Sequence, residues 1–160
     1  MKFIIESPKY GRHEVLIDDE DAAGVLRHRW HVAVNNRRRA IYAGTHINNK
    51  CVTLQQYLTT YRQTDHINGN GLDCRRCNMR ESTRAQNMQN RGSQKNNTSG
   101  YKGVIFLKAT KKWMAQIWKD GVKEYLGVYD LKEHAAIAYN NAARRLHGEY
   151  AVLNEVLICK

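Results

Sequence analysis

"KWMAQIWKDGVKEYLGVYDLKEHAAIAYNNAARRLHG", Lys112 to Gly148, packs two strands, a turn and a helix into one uninterrupted run. Aromatic and β-branched residues in "KWMAQIW" and "KEYLGVY" favour a pleated, half-buried surface. Asp120-Gly121 between them is a hairpin turn, because both residue types tolerate positive φ. By alternation Trp113, Ala115 and Ile117 share one face of the first strand, and Gln116 and Trp118 share the other. Asp130 and Glu133 form a capping box that opens the helix "LKEHAAIAYNNAARRLHG", and Gly148 ends it. Leu131, Ala135, Ala138, Ala142 and Leu146 recur at helical spacing, a narrow face suited to lying close on a sheet. "YKGVIFL" (Tyr101 to Leu107) adds a third strand, so three strands and one helix form a unit over 99–155.

Upstream, residues 1–55 read as short strands with turns. Val15 to Ile17, His31 to Val34, Ala40 to Ile47 and Cys51 to Leu54 are the apolar or alternating runs. Asn35-Asn36 and Asn48-Asn49-Lys50 separate the last three, which predicts a small antiparallel meander. Residues 56–92 hold "TDHINGNGLDCRRCNMRESTRAQNMQN" (Thr64 to Asn90), too rich in small polar side chains for a core. Thr83 and Gln86 form a capping box for a helix whose Asn87, Asn90 and Arg91 share one wholly polar face. Asn68 and Asn70 flank Gly69 as turn residues. Residues 93–98 read as a polar linker.

The chain has 160 residues, 42% of them hydrophobic, enough to bury a core. It holds 26 Lys and Arg against 15 Asp and Glu, a net charge of +11. Clustered basic charge favours a polyanion, because each neutralised phosphate releases condensed counterions. No apolar run is long enough to span a membrane, and the start, MKFIIESPKYGR, is too short and polar for a signal peptide. The four cysteines suggest no disulfide framework. Cys74 and Cys77 have the spacing of half a zinc site, but no second CxxC or HxxxH accompanies them, which argues for free thiols over zinc. The expectation is a protein of the cytoplasm with a polyanionic partner, no membrane, and no obligate protein partner evident. Charge does not separate DNA from RNA, or binding from cutting.

"DHINGNGLDCRRCNMR…QNMQN" resembles the HNH endonuclease motif. "SGYKGV…KWMAQI…YLGVYDLKEHAAIAYNNAARRLHGEYAVLN" is similar to the AP2/ERF DNA-binding domain. In this order the pair looks like phage-type HNH homing endonucleases, acting in a bacterial host cell if phage-encoded. The resemblance implies an α+β protein: an N-terminal β-meander, a ββα-metal nuclease core, and a C-terminal AP2 domain of three-stranded antiparallel sheet plus one helix. It implies a metal-dependent DNA endonuclease with double-stranded DNA as partner. His66 would be the general base, Asn78 would orient it, and Asp65 and Asn87 would hold Mg²⁺ or another divalent cation such as Mn²⁺. Such roles suit the residue types: a neutral imidazole takes a proton from water, and oxygen donors suit a hard cation. Arg75, Arg76, Arg80, Arg84 and Arg91 are candidate phosphate contacts near the cut, with nothing in the sequence to choose among them.

Lys102, Gln116, Trp118, Lys123 and Tyr125 match the sheet face that AP2 domains lay in the DNA major groove. Gln can read adenine, Lys can reach guanine or phosphate, and aromatic rings can pack on sugar and thymine methyl. Ile105, Leu107 and Trp118 stand where the plant pattern often has arginines, so base preference should differ. Relatives commonly carry a His-Arg pair where this chain has Gln55-Gln56. The rival reading is a non-catalytic DNA-binding transcriptional regulator that keeps the HNH segment as scaffold. An RNA-binding module is disfavoured by the absence of an aromatic RNP signature or a GXXG loop.

Overall fold

The computed structural model describes residues 1–35, 40–92 and 97–156. Several small antiparallel sheets and few helices make the chain α+β. It divides into two units, Met1–Thr83 and Arg84–Lys160.

In the first unit β1 (Lys2–Ser7) and β2 (Gly11–Leu16) form a hairpin, followed by the short α1 (Ala22–Val25). The expected meander is β3 (His31–Asn35), β4 (Ala40–Ile47) and β5 (Lys50–Thr53). Asn48 and Asn49 turn the β4–β5 corner at φ 49° and 61°, the left-handed values their side chains tolerate. The Asn35-Asn36 turn falls partly on residues outside those described. Helix α2 (Leu54–Leu58) opens with a capping box: Gln56 Oε1 accepts from the Thr53 backbone N–H at 3.0 Å. Gln56 therefore has a structural task where the resemblance has a His-Arg pair. β6 (Thr64–His66) and β7 (Met79–Glu81) make a second hairpin.

A boundary near residue 55 is not what this unit shows. Val15, Ile17, Val25, Ala43 and Leu54 from the first part are fully buried in one core with Leu72, Cys74 and Met79 from the second. Leu16 N–H donates to Leu72 O at 2.9 Å, and Cys74 N–H to Leu16 O at 2.8 Å, sewing the loop of the second hairpin to β2. A run of seven strands with one shared apolar centre leaves nowhere for a linker.

The second unit carries α3 (Arg84–Gln89), then β8 (Val104–Leu107), β9 (Lys112–Lys119) and β10 (Val122–Tyr129), with β9 in the middle. Helix α4 (Lys132–His147) packs on one face of this sheet. Asp120 and Gly121, at φ 50° and 81°, form the expected turn, and Gly148 at φ 54° ends α4. The helix start differs. Leu131 bounds it without a side-chain cap, while Asp130 pairs with Lys112 Nζ at 3.0 Å, an ion pair that draws the carboxylate from the helix.

The buried stripe of α4 is also rotated from the expected one. Ala135, Ala136, Tyr139, Ala142 and Ala143 are buried, whereas Leu131 is 53% exposed and Ala138 half-buried. Tyr139 sets the rotation, because its ring lies over Gly103, where a Cβ would come within 2.1 Å of it. Asn154 ties the segment after α4 back to the body. It accepts from Lys102 N–H at 2.7 Å, donates to Lys102 O at 3.1 Å, and exchanges bonds with Asn140 at 2.7 and 2.9 Å. Within the expected linker, residues 93–96 lie outside the described ones. Asn97 is ordered by its own bonds, accepting from Ser99 and Gly100 N–H and donating to Tyr101 O at 2.6 Å. No helix among the described residues is long and apolar enough to cross a membrane.

Gly103 sits at φ +75° against the Tyr139 ring and Gln116 O. Gly103→Ala should therefore destabilise the protein by roughly 2–4 kcal/mol, combining left-handed strain with overpacking. Gly121→Ala, at φ +81° with nothing within 4 Å, should lose about 1 kcal/mol. Urea melts followed by circular dichroism compare the two.

Candidate functional site

Two groups of the expected residues can be traced. The first is the β6–β7 hairpin. Register sets Asp65 opposite Arg80 and His66 opposite Met79. Asp65 is 3% exposed, and its Oδ2 accepts from Arg80 Nε at 2.9 Å and Nη2 at 2.8 Å. A buried carboxylate needs such a partner, since the lone charge would be expensive to desolvate.

Asn78 fastens the loop between the two strands. Its Oδ1 accepts from Asn68 N–H at 3.0 Å, and its Nδ2 donates to Asn68 Oδ1 at 3.0 Å and to Asp73 O at 2.7 Å. With both amide protons so engaged and the carbonyl accepting from Asn68 N–H, Asn78 holds the loop that follows His66. Asn68 and Asn70 are turn residues as expected, their side-chain oxygens accepting from Asn70 and Leu72 N–H.

His66 is 7% exposed, with Nε2 3.7 Å from Cys74 Sγ and the Tyr42 ring 6.2 Å away. Burial pulls the imidazole below its ordinary value, against the opposing pull of Asp65 and Asp73. Burial pushes the Cys74 thiol up to about 12, so it stays protonated and can donate to a neutral imidazole. Cys74 is a fully buried member of the core and Cys77 is exposed, so the two thiols occupy opposite environments. Among the described residues no group of three or more His, Cys, Asp or Glu gathers to hold a metal ion.

Besides Arg80, which holds Asp65, two more of the expected phosphate contacts are engaged by the protein's own acids. Arg75 grips Asp73 with two bonds of 2.8 Å and holds that carboxyl below the usual range. Arg76 pairs with Glu20 at 2.8 Å and Asp21 at 2.7 Å, more than fifty positions away in sequence. Such partners are invisible to a charge count. Arg84 and Asn87 lie on α3 and Arg91 follows it, all in the second unit. Arg84 and Arg91 are exposed, and Arg91 Nη1 reaches Met88 Sδ at 3.7 Å.

The second group lies on the sheet of the second unit. β9 pairs place Tyr125 beside Gln116 and Lys123 beside Trp118 on the face opposite α4. Trp118 is 56% and Tyr125 60% exposed, far more than a core role allows. Trp113, by contrast, packs with the core and against Phe106 at 4.8 Å. Thus the alternation in β9 sorts the aromatics as expected.

Lys102 does not join this face. Its Nζ donates to Gln89 O at 2.6 Å, at the C-terminal end of α3 where helix carbonyls attract a cation. Burial there, with Arg91 nearby, lowers the ammonium to about 8. A cleft of about 760 Å³ opens between α3 and this end of the sheet, with Met88, Lys102, Ile105, Gln116, Trp118 and His147 in its wall.

One open-face residue, Val128, escapes a strict alternation. Beside Ile105, β9 places Met114, and Met114 in turn pairs with Val128. Reading every second residue from Lys123 and Tyr125 would put Gly127 and Tyr129 outward. A bulge between Tyr125 and Gly127 shifts the parity and brings Val128 out, at 37% exposure. The glycine in "YLGV" is the signal that marks such a place.

No family model matches the chain, and no solved structure does. It is 34% identical over 87 residues to Protein 3.8 of Escherichia phage T7, covering 54% of this chain and 71% of that protein. The chain belongs to the family of that phage protein. It is also 36% identical over 69 residues to the AP2-like ethylene-responsive transcription factor TOE2 of Arabidopsis thaliana, covering 43% of the chain and 14% of the plant protein. Against dehydration-responsive element-binding protein 2D of the same plant, identity is 35% over 86 residues, covering 52% and 41%. The chain thus spans less than half of either plant relative. The three-stranded sheet with one packed helix is compatible with this likeness.

His147 at the end of α4 supplies a test of the second unit. Its Nε2–H donates to Trp118 O at 3.0 Å, and its buried Nδ1 has no partner among the described residues. Burial holds it below the ordinary value of 6.5. The unfolded chain therefore takes up the proton first, so stability is full above about pH 6.5 and falls as pH drops from there toward the lower folded value. Urea midpoints measured from pH 8 to 5 should decline on the acid side, and His147→Gln should flatten part of that slope.

Proposed function

We propose that the protein binds double-stranded DNA through the open face of its C-terminal sheet, in a sequence-directed way. The observation that carries this reading is the registered block of Gln116, Tyr125, Trp118 and Lys123 standing out from the face opposite α4. Gln can bond adenine N6 and N7 together, Lys can reach phosphate, and the aromatic rings offer flat contact to sugars and bases. The net charge of +11 supports a polyanionic partner. The printed names of two plant relatives, a transcription factor and an element-binding protein, support the same reading. The first unit then serves as scaffold, its hairpin closed by the Asp65–Arg80 pair and the Asn78 bonds.

A second reading is phosphodiester hydrolysis at the β6–β7 hairpin, and one observation favours it. Burial keeps His66 neutral at pH 7, which a general base requires. Of the oxygen donors expected for a divalent cation, Asp65 accepts from Arg80 through Oδ2 at 2.9 and 2.8 Å, and Asn87 lies on α3. Mg²⁺ or Mn²⁺, if bound there, would supply charge for a leaving oxygen. His66 alone carries the residue argument.

Gel mobility shifts with a pool of random duplexes test the first reading. The protein should enrich particular sequences, and Gln116→Ala with Trp118→Ala should weaken the enriched duplex about tenfold or more while random DNA binding changes little. Equal loss on all sequences would mean these side chains do not read bases. Supercoiled plasmid incubated with Mg²⁺, with EDTA, and with His66→Ala tests the second. Cutting that needs the metal and vanishes in the variant would establish it; plasmid that is retarded yet intact leaves the binding reading alone.

A further inference from the structure

Taking DNA binding by the open sheet face as given, its central row decides which base pairs it prefers. Ile105, Met114 and Val128 lie side by side across β8, β9 and β10 in consecutive register. Ile105 is 43% and Val128 37% exposed, and Met114 between them is half-buried. Apolar side chains standing in a line across all three strands of an outward face have no core to fill. Beside them is the Gln116–Tyr125 row, and beyond it the Trp118–Lys123 row.

The major groove offers few apolar features. The 5-methyl group of thymine is the one carried by an unmodified base pair. None of the three side chains can donate to guanine O6 or N7, the contact that arginine or lysine would make. Next to the apolar row stands Gln116, whose amide matches adenine N6 and N7 in bidentate fashion. Adenine on one strand and thymine methyls on its partner or its neighbours are presented together by A·T steps. The flexible thioether of Met114 can follow the methyl between two stiffer β-branched neighbours.

We infer that this row recognises thymine methyl groups, so that the protein selects A·T-containing steps through Ile105, Met114 and Val128 acting with Gln116. The positive charge of the chain makes DNA, rather than an apolar protein surface, the occupant of the face. Flanking Lys123 lies on the same face, where it can meet a phosphate at the groove edge.

The test uses the full chain and the duplex it enriches from a random pool. That duplex is remade with uracil for thymine, which removes the methyl groups and leaves the pairing intact. Affinity at fixed salt should fall about fourfold for each contacted methyl. Ile105→Ala with Val128→Ala, both exposed positions, should bind the thymine and uracil duplexes alike. A third duplex carries G·5-methylcytosine at the contacted steps and should bind poorly, because Gln116 loses its adenine.

Sequence-selective binding with equal affinity for thymine and uracil duplexes would overturn the inference and leave the DNA-binding reading standing. Full retention of the 5-methylcytosine duplex would overturn the assignment to thymine. A protein that retains no duplex at all would overturn the DNA-binding reading and this inference with it.

Discussion

The close approach of α4 to its sheet governs the second unit. Four buried alanines leave the helix backbone near the strands, and Tyr139 reaches across to cover Gly103. That contact admits no other side chain at position 103 without displacing the ring. Once one sheet face is closed this way, the pleat dictates every residue on the other. Gln116, Trp118, Lys123 and Tyr125 are outward because Ala115 and Ile117 are inward. The outer face is therefore a by-product of core packing, shaped further by one bulge.

The first unit handles charge differently. Arg75, Arg76 and Arg80 each meet a carboxylate, and the buried Asp73 and Asp65 are compensated where they stand. Such pairs fix geometry more than they add stability, since desolvation offsets much of the attraction. Their effect here is to lock the β6–β7 hairpin and its loop into one arrangement. The Asn68–Asn78 exchange does the same work with neutral groups. This segment thus presents less positive charge than its composition implies.

Local patterns were the legible part of this chain. The hairpin turns at Asn48-Asn49 and Asp120-Gly121, the glycine that ends α4, and the inward or outward sense of β9 all follow from short-range rules. What escaped had long-range or compensating causes. Asp130 looks like a cap until Lys112 on a neighbouring strand takes it. Arg76 looks available until Glu20 and Asp21 are brought to it by the fold. The bonds from Asn78 to Asn68 and to the Asp73 carbonyl close a loop whose path no local pattern gives. Val128 hides behind a single-residue change of register. The core shared across residue 55 is hidden for a similar reason, because no pattern in either half announces that both contribute to it.

Asn154 sets an order of events. The backbone of Lys102, at the entry to the sheet, finds both of its bonding partners on a side chain fifty-two positions later. During synthesis β8, β9 and β10 can pair as soon as they emerge, since their contacts are between sequence neighbours. The backbone N–H and C=O of Lys102 find these partners only once residue 154 is present. A chain ending shortly before it would carry the strands and the helix without that stitch. One asparagine near the far end of the unit thereby ties the entry to the sheet, through Asn140, to the middle of the helix.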